Sequence, residues 1–248
     1  MSELELSFQT ECVLYVDDLL FYKPISQSDD FAALQSDLHL LEWWSDKQLL
    51  QLNPAKCKYM LLSRRRFLSI TDIALFLCGS VLEKVEVFKY LGVLINSKLS
   101  WSDHIAGIRS KARKILGLVH RQFYKDSSSN TLTALYILLV RPHLVYAAQL
   151  CDPYTHCDVN KLEAVQRFAL RIVSHQWDAT YGDLLNIIHI QKLEERRLKL
   201  KLIQVYKIAH GLCYFPDNTF VLHGSYSERL AKPCTLLCPH ACTNYYFH

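Results

Sequence analysis

Two adjacent carboxylates, Asp17 and Asp18, interrupt the apolar stretch "ECVLYVDDLLFYKPI" over residues 11–25. Acids this close repel one another unless a cation neutralises them, and paired hard oxygen donors of this kind suit Mg²⁺. The bland alternative is a solvated Asp-Asp turn. The flanking runs, Cys12–Val16 and Leu19–Tyr22, are rich in β-branched and aromatic residues. Two such runs around a two-residue polar break read as a β-hairpin with Asp17-Asp18 at its turn, ended by Pro24.

The elements that must hold this hairpin follow from hydrophobic spacing. Ser28-Asp29-Asp30 forms a capping cluster, and Phe31, Leu34, Leu38 and Leu41 then recur at helical spacing. That helix is expected to reach about Leu50, with Asn53-Pro54 blocking continuation. "KYMLLS" (58–63) reads as a strand and Arg64-Arg65-Arg66 as a basic loop. Two or three short strands are expected over residues 73–96, punctuated by Gly79-Ser80 and Gly92. From Ser100 the pattern turns helical. Ile105, Ile108, Ala112, Leu116 and Val119 share one face of a first helix, and Arg109, Lys111, Arg113, Lys114 and Arg121 lie largely elsewhere on it. A second helix runs to about Val140, where Pro142 kinks or breaks it, and another apolar stretch follows to about Leu150. Leu162, Val165, Ala169 and Ile172 mark the core face of a third. "KLEERRLKLKLIQVYKIAHGL" is a fourth, closed by Gly211. The fold class is α+β, with an all-α second half: residues 1–99 sheet-bearing, 100–214 helical and 215–248 an irregular tail.

Composition narrows the function. Half of the 248 residues are apolar, with seven glycines and seven prolines, so a sizeable core is expected and long disordered linkers are not. The longest apolar run, Leu135–Val140, is too short to span a bilayer. Nine cysteines, an odd number beside no secretory signal, argue for reduced thiols in an intracellular protein, nuclear or cytoplasmic. The net charge of +4 conceals an asymmetry: residues 1–63 hold ten acids and four bases, residues 104–210 eight acids and sixteen bases. A basic helical half facing a polyanion is one reading, and solvated helix faces the other. Cys234, Cys238, His240 and Cys242 place four soft ligands within nine residues of the tail. Their C-x₃-C-x-H-x-C spacing is cramped and matches no familiar zinc module, so zinc is not expected. His104, His120, His143 and His189 read as packing or surface histidines. The sequence holds no glycine-rich phosphate loop, nucleophile elbow or His-Glu-x-x-His helix.

Taken in order, "LYVDDLLFYKPI", "WWSDKQLLQLNPAKCKYMLLSRR", "FKYLGVLINSKLSWSDHI", "LVRPHLVYAAQLCDP" and "KLEAVQRFALRIV" resemble the C-terminal half of the reverse transcriptase of jockey-like non-LTR retrotransposons. The resemblance runs from about residue 11 to about 214. It implies a partial polymerase palm followed by a helical thumb. In that family Asp17 and Asp18 would be palm carboxylates of a two-Mg²⁺ nucleotidyl-transfer site, with Asp17 the direct ligand. Tyr15 and Val16 would line the primer end, Val16 standing where the family mostly has alanine. Lys56 would neutralise or protonate the departing pyrophosphate, unless it is a plain surface lysine. Tyr90, Leu91 and Gly92 resemble the primer grip, or else are plain core. Arg109, Lys111, Arg113 and Lys114 would hold the phosphates of an RNA template paired with a DNA primer, an attraction that salt weakens. A deoxynucleoside triphosphate would be the substrate of the whole enzyme.

The resemblance also implies an omission. The family's other palm aspartate lies well upstream, and only Glu3, Glu5 and Glu11 precede Asp17 as acids. The chain alone is therefore expected to bind Mg²⁺ weakly, to lack polymerase activity and to carry an open sheet edge. A non-catalytic nucleic-acid-binding module and a domesticated protein-interaction scaffold are the alternatives.

Overall fold

The computed structural model describes residues 8–27, 29–63 and 74–213. Ser28, the Arg64–Arg66 loop and the Cys234–Cys242 cluster lie outside them. Two units are distinguished. One holds the residues up to Tyr90 together with Ile95–Ser100; the other holds Leu91–Leu94 and the residues from Trp101 onward. The whole is mixed α and β.

In the first unit, β1 (Glu11–Tyr15) and β2 (Asp18–Tyr22) pair antiparallel, with Tyr15 opposite Asp18 and Cys12 opposite Phe21. The turn is therefore Val16-Asp17, one residue earlier than the polarity of the sequence suggests. Val16 takes a left-handed φ of 57° that β-branched residues rarely adopt. Helix α1 (Asp29–Lys47) follows and ends three residues before the expected Leu50, with Leu49 at φ 55°. Phe31 and Leu41 are buried, while Leu34 and Leu38 are half-buried against a small core.

Polar side chains of α1 organise what surrounds it. The buried Asp37 carboxylate accepts from Gln9 N (3.0 Å), Thr10 N (2.8 Å) and Thr10 Oγ1 (2.6 Å), which fixes the approach to β1. Asp30 accepts from Ser26 N and Gln27 N at 2.7 and 2.9 Å; those bonds, ahead of the nearby Lys23, hold its carboxyl below the usual range. Gln35 behaves like a strand partner, exchanging bonds of 2.9 and 2.8 Å with the carbonyl and amide of Phe76.

The remaining strands are shorter and more numerous than expected. They are β3 (Lys58–Tyr59), β4 (Phe76–Leu77), β5 (Ser80–Val81), β6 (Glu83–Lys84), β7 (Val87–Tyr90) and β8 (Val93–Asn96). "KYMLLS" contributes two strand residues rather than six. Among the described residues the strands form four two-stranded sheets, β1-β2, β3-β6, β4-β5 and β7-β8, with β3-β6 parallel. The β4-β5 turn, Cys78-Gly79, has positive φ at both positions, the backbone that a tight hairpin requires. Leu75, Leu77 and Leu82 form the core beneath.

The second unit is helical: α2 (Ser102–Phe123), α3 (Ser129–Leu135), a π-helical turn (Tyr136–Val140), α4 (Arg141–Leu144), α5 (His156–Ser174), α6 (Tyr181–Ile188) and α7 (Leu193–Ala209). All five apolar residues expected to face inward on α2 are buried, as are all four on α5. Pro142 does not break its helix. The π turn widens the rod just ahead of it, with Arg141 N–H donating to Tyr136 O, so the ring avoids the carbonyl it would otherwise strike. The expected apolar stretch after it is a run of turns to Leu150.

Helix α6 had no sequence expectation. Thr180 caps it, accepting from Asp183 N at 3.3 Å and donating to the Asp183 carboxylate at 2.6 Å. A partly buried link joins α2 to α5, where the Asp158 carboxylate accepts from Ser102 Oγ (2.8 Å) and Thr155 Oγ1 (3.1 Å).

Candidate functional site

The carboxylates sit at an exposed tip. Asp17 is a turn residue and Asp18 opens β2, and both are exposed. Because Asp18 lies directly opposite Tyr15, the two side chains share a face of the hairpin with Val13 and Leu20. That face is open to solvent: Val13 is 45%, Tyr15 58%, Leu20 39% and Tyr22 46% exposed. The other face carries half-buried Cys12, Leu19 and Phe21, with Phe8 edge-on to Phe21 at 5.0 Å.

Two acids supply two carboxylates as hard oxygen donors. Among the described residues no three His, Cys, Asp or Glu side chains gather into a metal-holding group. The hairpin therefore offers part of a ligand set, and Mg²⁺ would complete its octahedron there with oxygens from outside the pair, such as waters and substrate phosphates.

Lys56 is exposed on the Pro54–Lys56 turn, its amide donating to Asn53 O at 3.1 Å. No ion pair among the described residues joins it to either aspartate. Tyr90 ends β7 half-buried, with its hydroxyl buried and unpartnered. Leu91 and Gly92 form the next turn at φ 45° and 82°. Their close neighbour within the helical unit is Tyr146. Its hydroxyl donates to Leu91 O at 2.6 Å, and a Cβ added at Gly92 would meet that same hydroxyl at 3.0 Å. Glycine at 92 thus serves both the backbone and the tyrosine resting on it.

On α2 the structure divides the four candidate bases. Arg109, Arg113 and Lys114, with Ala106 and Ser110, line an open groove of about 410 Å³. Their spacing of three and four residues stacks them on one face. Lys111 points elsewhere: burial, and then the Lys111 charge, hold His143 below its usual pKa. Three cations on one groove suit a string of phosphates.

Several structurally decisive polar residues lay outside the sequence reading. Arg197 is 2% exposed and donates to Asp152 Oδ1 (2.7 Å), Leu144 O (2.6 Å) and Cys151 O (2.7 Å), anchoring α7. Tyr136 donates to Gln166 Oε1 at 2.6 Å, and Gln166 donates to Tyr181 OH and Gln191 O, each at 3.0 Å. Burial pushes the Tyr136 hydroxyl well above its usual range. Of the four histidines, His104 is buried and accepts from Leu94 N at 3.3 Å, a packing role.

Sequence comparison adds to this geometry. The RNA-directed DNA polymerase from mobile element jockey of Drosophila funebris is 26% identical over 227 residues, covering 88% of this chain and 24% of that protein. The jockey polymerase of Drosophila melanogaster is 24% identical over 171 residues, 66% of this chain and 18% of the relative. The probable RNA-directed DNA polymerase from transposon BS of the same species is 22% identical over 166 residues, 64% and 18%. The chain thus spans about a quarter or less of the length of these relatives. No family model matches it. No solved structure matches it either. Among the described residues no helix is long and apolar enough to cross a membrane. Over most of its length this chain is similar to the RNA-directed DNA polymerases of jockey and BS elements, which are non-LTR retrotransposons.

Proposed function

We propose that this chain supplies the palm carboxylate hairpin and the duplex-holding thumb of a non-LTR retrotransposon reverse transcriptase. The observation that supports it is the pair Asp17 and Asp18 at the tip of an antiparallel hairpin, in a chain that is similar over most of its length to three such polymerases. In the whole enzyme Asp17 and Asp18 would hold Mg²⁺, which would supply charge stabilisation for nucleotidyl transfer from a deoxynucleoside triphosphate. Tyr15 and Val16 border the primer end, with Tyr90, Leu91 and Gly92 as the primer grip. Lys56 meets the departing pyrophosphate. Arg109, Arg113 and Lys114 grip the phosphates of the RNA template and DNA primer, and Lys111 adds charge from its own flank. The enzyme works inside the cell, in nucleus or cytoplasm.

This chain alone is expected not to polymerise, since among the described residues no third His, Cys, Asp or Glu joins Asp17 and Asp18 in a metal-holding group. Two measurements on the whole chain test the reading. Binding of an RNA–DNA duplex is expected without Mg²⁺, weakening steeply with salt, and Arg113→Gln should lower the salt slope by roughly one. Failure to bind the duplex at low salt sinks the thumb assignment. Primer extension is expected to be absent, and incorporation that disappears in Asp17→Asn would show the hairpin to be a complete catalytic site in this chain.

A further inference from the structure

The basic face of α2 continues past its groove. Counting on from Arg113 by threes and fours, the same face carries Gly117, then His120 and Arg121, then Tyr124, whose backbone is still helical. Gly117 leaves that face bare at its midpoint, and the Arg121 side chain reaches back toward it: a Cβ added at Gly117 would meet Arg121 Nη1 at 3.5 Å. Arg109, Arg113 and Arg121 thus follow one another along one face, and among the described residues none of them is in an ion pair.

An aromatic group stands where this line ends. The Tyr124 ring lies 4.6 Å, centroid to centroid, from both the His120 and the His175 imidazoles. The Trp177 indole N–H donates to Tyr124 OH at 3.2 Å, and Phe168 on α5 stands edge-on to Trp177 at 6.0 Å. Tyr124 packs against the helical core and anchors the group. Trp177 and Phe168 are 43% and 42% exposed, so two large rings are held partly open to solvent. The one polar atom of the Trp177 side chain is already bonded, which leaves π surface rather than hydrogen bonds to offer a ligand.

Charge decides among the ligands that aromatic rings attract. A quaternary ammonium would favour such rings too. Yet the segments that carry them, 117–126 and 167–178, hold Arg121, Lys125, Arg167 and Arg171 against Asp126 and Asp178. That balance repels a cation and attracts a polyanion. A polyanion that also carries flat stacking groups is a nucleic acid with unpaired bases, and a basic track leading to aromatic rings is how such strands are held. Inside a duplex the bases stack on one another and cannot reach a side chain in this way.

We propose that Trp177 and Phe168, anchored by Tyr124, form a stacking platform for the unpaired bases of a single strand, which the basic face of α2 holds by its phosphates. The proposal rests on the reading of the α2 groove as a phosphate-holding surface and extends it from the duplex to a strand that runs out of it.

The test uses the full chain and three labelled probes at one salt concentration, read by fluorescence anisotropy: oligouridylate, an abasic phosphodiester strand of equal length and a blunt RNA–DNA duplex. Oligouridylate is expected to bind roughly tenfold more tightly than the abasic strand. Trp177→Leu and Phe168→Leu keep apolar bulk but remove the aromatic face. Each should weaken oligouridylate several-fold and leave the abasic strand and the duplex unchanged. Trp177→Phe keeps a ring and should retain most of the binding, and parent-like melting of the three variants shows that they fold. Equal binding of oligouridylate and the abasic strand, or full oligouridylate binding by folded Trp177→Leu, overturns the proposal. So does Trp177-dependent binding of a proline-rich peptide in place of oligouridylate, which would make the rings a protein-docking site. A preference for bases without any duplex binding sinks the thumb reading alone. Duplex binding without that preference sinks the platform alone.

Discussion

Among the described residues the helical unit gathers nineteen buried side chains into one core, from Ile105 on α2 to Leu193 at the start of α7, whereas the core cluster of the sheet-bearing unit is Leu75, Leu77 and Leu82. The cause is geometric. A helix of about twenty residues turns one full face inward, while a strand of two residues can offer one side chain. Two-stranded ribbons are marginal in water without a third strand or a helix to cover them. The β1-β2 hairpin is such a ribbon, and its Tyr15 and Asp18 face is uncovered among the described residues. The acids that could do chemistry therefore lie on the less consolidated part, and the cations that could hold a duplex lie on the firmer one.

One pair of truncations measures that contrast directly. Leu116 and Leu77 are each 1% exposed, so the chemistry removed by alanine is the same. Leu116→Ala opens a cavity walled by several helices that cannot all close in, and should cost about 4 kcal/mol. Leu77→Ala lies among short ribbons that can collapse, and should cost about 2 kcal/mol, near the low end for such changes. Hydrogen exchange resolved by segment would read each unit separately. Equal losses would mean that the two cores are equally rigid, and the comparison would fail.

A pH scan sharpens the same contrast through His104. Its Nδ1 accepts from Leu94 N, so Nε2 carries the proton, buried and without a partner. Burial, and then the Arg197 charge, lowers its pKa below 6.5. The folded state thus prefers the neutral ring more than the unfolded state does. Stability from this group is fully present above about pH 6.5 and is lost as the pH falls through the lowered folded value. The loss should appear as faster exchange in α2 below pH 6.5, and His104→Gln should flatten it. A slope that persists in His104→Gln would assign the titration to another group.

How much of this could be read in advance follows the same divide. Periodicity alone placed the five buried apolar residues of α2 and four of the six on α5, missing Leu170 and Val173, because burial on a long helix repeats every turn. The strands after α1 were harder to place, because pieces of two to four residues have too little length for alternation to register. Helix α6 was missed although Thr180-x-x-Asp183 is a capping signal, since eight residues give barely two turns of pattern. Asp37, Gln166 and Arg197 were invisible for a different reason. A buried polar residue is defined by partners distant in sequence, such as Thr10, Tyr136 and Leu144, and no local rule pairs them. Of the candidate site, the hairpin and its two acids were legible, whereas the separation of Lys111 from Arg109, Arg113 and Lys114 required coordinates.

The smallest expected effect lies at the carboxylate tip itself. Polarity put the turn at Asp17-Asp18, yet the chain turns at Val16-Asp17 and forces a β-branched residue to φ 57°. Left-handed backbone costs a non-glycine residue roughly 1–2 kcal/mol. Val16 is 77% exposed, so no burial offsets that strain. Val16→Gly should relieve it, while the greater freedom of glycine in the unfolded chain returns about 0.5–1 kcal/mol. The net gain is under about 1 kcal/mol, confined to β1 and β2 and visible as slower exchange of their amides. Val16→Ala keeps a Cβ and should gain less. A hairpin loosened by Val16→Gly would mean that the valine side chain holds the tip. The strain would then belong to the geometry that presents Asp17 and Asp18 rather than to a poor choice of turn residue.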